Sequence, residues 1–252
     1  MKKFLFVDLD DTLFQTPKKC RSTDSLELHP AAYLKDGAPC SFTTPRQRAF
    51  LEFARREMTL IPATARNHDA FKRVDLPFAS YAVLDYGGII LQPGGALDAD
   101  WLAVMRADMD AALPGLREAM RVIDQFQAKC ARSARARLIE DFATPFYVVI
   151  KDPEARAERL AEIEHAVLAD WLVTDGAAYF LHRNGNNLAV LPKALNKARA
   201  VDYLRAQLTA EHGQILSFGM GDSGSDARFM AACDYAIVPN GSQLAALTVA
   251  AL

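Results

Sequence analysis

Residues 1–14 read MKKFLFVDLDDTLF: an apolar run at 4–7 is followed at once by three carboxylates, Asp8, Asp10 and Asp11, within four positions. A strand leaving the core can end on a polar or glycine turn. Three like charges this close repel one another unless a cation or a proton separates their roles. The opening predicts a buried strand with chemistry at its carboxyl end.

Working outward, short and nearly continuous apolar runs predict further strands at 59–62, 81–84, 215–218 and 235–238. Such runs belong to strands covered on both faces. Helical patterns alternate with them. One helix is expected over 45–56, with Thr44 as N-cap, proline in the first turn and Phe50, Phe53 and Ala54 facing the core. A second is expected over 197–208, with Val201, Leu204 and Leu208 on one face. Strand–helix alternation of this kind predicts an α/β fold built on a doubly wound parallel sheet.

The middle of the chain has a different pattern. Residues 98–129 are expected to form two helices joined near Pro114-Gly115. Strands are expected at 136–140 and 146–150, an amphipathic helix at 153–168, and short strands at 171–173, 178–182 and 188–191. Asp175-Gly176 and Asn184-Gly185 read as hairpin turns in an antiparallel sheet. The expected organisation is therefore a core of residues 1–86 and 188–252, interrupted by an α+β domain at 87–187. Residues 15–44 form a long irregular segment, and such a loop in a compact domain is usually functional or carries its own small structure.

At 252 residues, the chain is long enough for such a pair of domains. Half of it is hydrophobic (51%) and the net charge is −2, which argues against nucleic acid as a main partner. The densest positive stretch, 129–137, reads as a solvated face. Four scattered cysteines, with no paired spacing, suit a reducing compartment better than a disulfide framework or zinc site. Asp8 interrupts the apolar N-terminal run too early for a signal peptide, and no stretch approaches a membrane span. A cytoplasmic protein, monomer or homodimer, with no membrane partner is expected.

In an open parallel sheet, ligands gather beyond the carboxyl ends of the strands. The expected strands there end in Asp8-x-Asp10-x-Thr12, in Ala63-Thr64-Ala65-Arg66, and in Gly221-Asp222-Ser223-Gly224-Ser225-Asp226, while Asn196-Lys197 opens the preceding helix. Any one of these motifs is weak, but all of them in this order resemble the haloacid dehalogenase superfamily. The position of the insert resembles the subgroup with a large α/β cap of the Cof and sucrose-phosphatase kind, as does DYGGII at 85–90. The resemblance implies a Rossmann-like core, a substrate-selecting cap and a flap within 15–44.

It also implies a magnesium-dependent phosphatase acting on a small phosphorylated metabolite, with a sugar or polyol phosphate as the foremost candidate. Asp8 would be the nucleophile and Asp10 the proton donor, later the base that activates water. Magnesium would be held by Asp8, the Asp10 backbone carbonyl and Asp222, with Asp226 in support. Thr64 would give its hydroxyl and backbone N–H to a phosphate oxygen in the loop containing Ala65. Lys197, preferred over nearby Lys193, would neutralise charge and hold the nucleophile. Arg66, His182 and Arg183 are candidate substrate contacts. Asp11 reads as a turn residue where many relatives carry glycine, Ala65 replaces a frequent glycine, and Ser225 a common asparagine. Taken singly, Thr64 would be a helix cap and Lys197 a surface lysine. Two other functions share much of this pattern: a phosphomutase, returning the phosphoryl group to the sugar, and a non-catalytic phosphate-binding protein.

Overall fold

The structure, a computed structural model, describes residues 1–20 and 27–248, so 21–26 of the long segment lie outside the described residues. In chain order, β1 (Lys2–Val7) is followed by the hairpin β2 (His29–Tyr33) and β3 (Pro39–Thr43). Then come α1 (Pro45–Glu57), β4 (Thr59–Pro62), α2 (His68–Phe71), β5 (Ala82–Leu84), β6 (Ile89–Leu91) and α3 (Ala99–Lys129). The middle holds β7 (Arg137–Asp141), β8 (Thr144–Ile150), α4 (Ala157–Ile163), α5 (Ala169–Thr174), β9 (Tyr179–Asn184) and β10 (Asn187–Pro192). The chain ends with α6 (Lys197–His212), β11 (Ile215–Met220), α7 (Ala227–Ala231), β12 (Tyr235–Ile237) and α8 (Gln243–Leu247).

Two compact units result, Met1–Leu102 with Asn196–Leu252, and Ala103–Leu195. The crossings lie later than the expected 86/87 and 187/188: the β5–β6 hairpin pairs within the first unit, and β10 pairs with β8 and β9 in the second. That unit is Rossmann-like: a parallel sheet in the order β12-β11-β1-β4, extended to β5 by a parallel bridge between Ala63 and Val83. Central β1 has Leu5, Phe6 and Val7 fully buried, as a strand covered on both faces must. The long segment carries its own hairpin, tied to the rest of the unit by the Tyr33 N–H on the Arg73 carbonyl (3.1 Å) and the Asp75 N–H on the Ala31 carbonyl (2.8 Å).

Helix α1 starts as expected: the Thr44 hydroxyl accepts from the Gln47 N–H, and the Gln47 side chain accepts from the Thr44 N–H. Its buried stripe is Leu51 and Ala54, with Phe50 half-buried, whereas Phe53 is 59% exposed. Phe53 lies about 100° round the helix from Ala54, outside the stripe.

The second unit is an antiparallel sheet, β7-β8-β10-β9, whose buried residues Val148, Ile150, Leu188 and Val190 pack with Leu116, Ile123, Leu160 and Trp171 of the helices. Three expectations fail here. α3 runs unbroken through Pro114-Gly115. A Cβ on Gly115 would collide with the Tyr179 ring, so the absent side chain admits that ring, whose hydroxyl donates to the Ala112 carbonyl at 2.6 Å. Proline and glycine ordinarily weaken a helix interior, but here a tertiary contact uses the glycine. Residues 171–173 are helical rather than a strand, because a π turn at Glu164–Leu168 carries α4 into α5 and brings Leu168 and Trp171 into the same core as Leu160 and Ile163. Asp175-Gly176 accordingly ends a helix, with both N–H groups on the Trp171 carbonyl, while β9 and β10 do form a hairpin.

Buried Asp98 ties the start of α3 to α6. Its Oδ1 accepts from the Trp101 N–H (2.9 Å) and the Tyr203 hydroxyl (3.2 Å), and its Oδ2 from Gln207 Nε2 (3.4 Å). Burial, then Asp98 beside it, pushes the Tyr203 hydroxyl up to about 12, so it stays a donor. Asp98→Ala removes a helix cap and the acceptor of the half-buried Tyr203 hydroxyl, a loss of about 1–2 kcal/mol. Urea denaturation measures it, and a change below about 0.5 kcal/mol, the range of an ordinary surface substitution, contradicts this role.

Candidate active site

Sheet register assembles the site. Val7 of β1 lies level with Met220 of β11 and Pro62 of β4. The Asp8 N–H then donates to the Met220 carbonyl (2.8 Å) and the Ala63 N–H to the Val7 carbonyl (2.8 Å). Asp8, the Thr64 loop and the Asp222 loop therefore leave the sheet side by side, although they come from opposite ends of the sequence.

Lys197, at the first position of α6, reaches two carboxylates: Nζ lies 2.6 Å from Asp8 Oδ1 and 2.7 Å from Asp226 Oδ1. Asn196 caps that helix, its side chain accepting from the Arg199 N–H at 3.1 Å. Gly87 fixes where the helix begins: its φ is +104°, and a Cβ there would sit 2.5 Å from the Asn196 carbonyl oxygen. Its own carbonyl accepts from Trp101 Nε1 at 2.9 Å. All three charged groups are more than nine-tenths buried, Asp226 almost completely. Burial pulls the Lys197 ammonium down, but Asp226 and Asp8 outweigh it and hold it above the usual lysine range. Burial likewise pushes Asp226 up, and Lys197, helped by Ser223, outweighs it and holds that carboxylate below its ordinary value. Ser223 donates its Oγ–H (2.6 Å) and N–H (3.1 Å) to Asp226 Oδ2, and Ser225 pairs with the Ser223 hydroxyl at 2.8 Å.

One ammonium does not balance this site. Carboxylate oxygens of Asp8, Asp222 and Asp226 lie within 4.8 Å of one another. Burial, with Asp226 and Asp10 nearby, pushes Asp8 up against the pull of Lys197. Burial, then repulsion from Asp226 and Asp11, pushes Asp222 up to about 6. Such an all-oxygen, excess-negative set fits a hard divalent cation, and Asp8 with Asp222 are its freest donors because both Asp226 oxygens are already engaged. Thr12 Oγ1 lies between the first two, 3.4 Å from Asp8 Oδ2 and 3.5 Å from Asp222 Oδ1.

The Asp10 side chain stands outside this cluster. Its two oxygens accept from Arg66 Nε and Nη2, at 2.7 Å each. Thr64 is fully buried, with its N–H donated to the Val83 carbonyl at 2.9 Å. The expectation that this N–H serves a phosphate is therefore corrected: β5 has already taken it. The hydroxyl oxygen accepts from the Arg66 N–H at 3.1 Å and keeps its own hydrogen to donate. Ala65 is half-buried between these two anchors. Asp11 has φ +62°, a left-handed turn that aspartate tolerates better than most residues, and pairs with Lys19.

His182 and Arg183 lie on β9 of the other unit, opposite Ala189 and Leu188 of β10, and Arg183 Nε pairs with Glu164 at 3.5 Å. Lys193 belongs to that unit too, whereas Lys197 reaches Asp8. Sequence reasoning missed the Asp226-locking role of Ser223 and the support from Gln47, whose Nε2 donates to the Thr12 carbonyl at 3.2 Å. The Thr44-x-x-Gln47 capping box marks Gln47 as ordered, but nothing local shows its reach.

Comparison with known proteins follows the same lines. The model of the sucrose-6F-phosphate phosphohydrolase family matches residues 1–248. The sucrose-phosphatase of Synechocystis sp. PCC6803, solved with sucrose and phosphate, is 21% identical with a TM-score of 0.53, covering 98% of this chain and 86% of that one. The C-terminal domain of C. albicans trehalose-6-phosphate phosphatase is 11% identical with a TM-score of 0.58, covering 92% and 73%. A Thermoplasma acidophilum protein is 12% identical with a TM-score of 0.53, covering 96% and 93%. At such identities these structures share the fold, and no curated protein matches the chain. With all but the last four residues matched by one family model, the chain belongs to the sucrose-6F-phosphate phosphohydrolase family and is a phosphatase of the haloacid dehalogenase type.

Proposed function

We propose that this phosphatase hydrolyses a sugar phosphate, with magnesium as cofactor and through an aspartyl-phosphate on Asp8. The observation that carries the reading is the Lys197 bridge between Asp8 and Asp226, which holds Asp8 through one oxygen with a carboxylate oxygen of Asp222 within 4.8 Å of it. A sugar is supported by the family's name and by the sucrose and phosphate bound to the Synechocystis relative.

A carboxylate approaches a phosphate dianion only if their repulsion is offset. Magnesium held by Asp8, Asp222 and the Asp10 backbone carbonyl would supply that offset. The remaining work falls to the chain. An Asp8 oxygen forms a bond to phosphorus as the bond from phosphorus to the sugar oxygen breaks. Asp10 gives its proton to that departing oxygen. Asp10, now a base, takes a proton from water, which attacks the aspartyl-phosphate, releases phosphate and restores Asp8. Lys197 keeps Asp8 oriented and neutralises charge, and the Thr64 hydroxyl donates to a phosphate oxygen. Selection of the sugar is assigned to the inserted unit, where His182 and Arg183 are candidates.

Phosphate release from a panel of sugar, polyol, nucleotide and acid phosphates, with magnesium and with chelator, tests the reading. Release concentrated on sugar phosphates and lost with chelator is expected; activity that survives chelation sinks the metal, and indifference to the panel sinks the sugar. Asp8→Asn should lower kcat by about 10³-fold or more with the melting temperature little changed, since Lys197 keeps Asp226 as its partner. Asp222→Asn should raise the magnesium concentration for half-maximal rate by at least about 10-fold; an unchanged magnesium titration would remove Asp222 from the site.

A further inference from the structure

We propose that Arg66 is a positioning residue for the proton donor: it sets the plane and direction of the Asp10 carboxylate rather than binding the substrate. The proposal rests on the phosphatase mechanism above, in which Asp10 protonates the leaving oxygen.

Both Asp10 oxygens are taken by one planar fork at 2.7 Å each. Paired parallel bonds of this kind fix a carboxylate's rotation as well as its place. The fork is itself immobilised. Nη1 donates to the Ala70 carbonyl (3.4 Å), the guanidinium carbon lies 5.0 Å from the centre of the buried Phe14 ring, and the Arg66 backbone N–H is on Thr64 Oγ1 (3.1 Å). Phe14 belongs to the loop that carries Asp10, whose turn is closed by the Asp11 N–H on the Phe14 carbonyl at 2.7 Å. Arg66 thus joins the loop after β4 to the loop after β1 at the one carboxylate that must move a proton.

Exposure argues the same way. The Arg66 side chain is 15% exposed and that of Asp10 42%, so a substrate arriving from solvent meets the carboxylate before the guanidinium. A phosphate-gripping arginine would show the opposite order. The fork uses two of roughly four lone-pair sites on a carboxylate, and the other two, on the outer side, are open to carry the proton. That proton passes to the sugar oxygen as the bond to phosphorus breaks, and the attacking water later returns one. The fork persists through both transfers.

Leaving-group dependence separates this role from its rivals. An alkyl phosphate such as sucrose 6F-phosphate needs a proton on its departing oxygen, whereas p-nitrophenyl phosphate releases a stabilised phenolate without one. Single-turnover release of the leaving group, with enzyme in excess, reads the first chemical step alone. For Arg66→Met, release from the alkyl phosphate should fall about 10²-fold or more while release from the aryl phosphate changes less than about five-fold, with Asp10→Asn giving the same split. Arg66→Lys, which keeps the charge but lacks the fork, should show the split in weaker form, so the proposal stands testable even if Arg66→Met folds poorly. Equal losses on both substrates, with raised KM or a lowered melting temperature, overturn it in favour of phosphate binding or a structural pair. Absence of wild-type release from any phosphate ester overturns the phosphatase mechanism itself, and this proposal with it.

Discussion

Lys197 holds two buried carboxylates at 2.6 and 2.7 Å, and the rest of the core is arranged so that this triad can exist. Burying three charges is costly, and a pair or triad in the interior survives only when its geometry is good and its leftover lone pairs are satisfied. Asp226 meets that condition through Ser223, which occupies its second oxygen twice. Asp8 does not. Among the described residues its second oxygen has only a long contact to Thr12, and its carboxyl is pushed up by burial and by the acids around it. The unequal treatment of the two partners separates an anchor from a reactive group.

Holding that geometry requires help from distant chain. Asp8 and Lys197 are 189 residues apart, with the whole second unit threaded between them. The sheet register places Asp8, while the start of α6 is fixed by Gly87 pressed against the Asn196 carbonyl and by Trp101 on Gly87. Asp98 then links the first turn of α3 to Tyr203 and Gln207 of α6. The two points where the chain leaves and re-enters the core are thereby bonded within the core itself, so an insert can be threaded there without loosening the lysine.

The parts that were legible in the sequence were those whose signal is local. The apolar run before Asp8, the strand at 59–62, the Thr44 cap and the start of α6 all follow from patterns a few residues long. The failures come from contacts made at a distance. Pro114-Gly115 looks like a break until the Tyr179 ring occupies the space beside Gly115. Residues 171–173 look like a strand until a π turn shifts the helical phase by one residue. Phe53 looks like core until the helix axis is placed and Leu51 takes the inner face. At the site, which acids cluster was readable, but the Thr64 N–H being spent on Val83, and Arg66 on Asp10, depended on β5 and on side-chain reach.

The two leading acids of the opening motif end in contrasting surroundings, two residues apart. Asp8 is 6% exposed and faces an ammonium that bonds one oxygen; Asp10 has a side chain 42% exposed and faces a guanidinium that bonds both. Strand alternation would put positions 8 and 10 on one face, but β1 ends at Val7 and Asp10 lies in the loop beyond it, so the two side chains are not held to a common face. A point charge on a buried oxygen steadies a group that must form a bond at its other oxygen, and a planar fork steadies a group whose orientation governs where a proton goes. On the proposed mechanism, lysine for the nucleophile and arginine for the proton donor is a chemical division of labour, and exchanging the two cations would spoil both roles while leaving every charge in place.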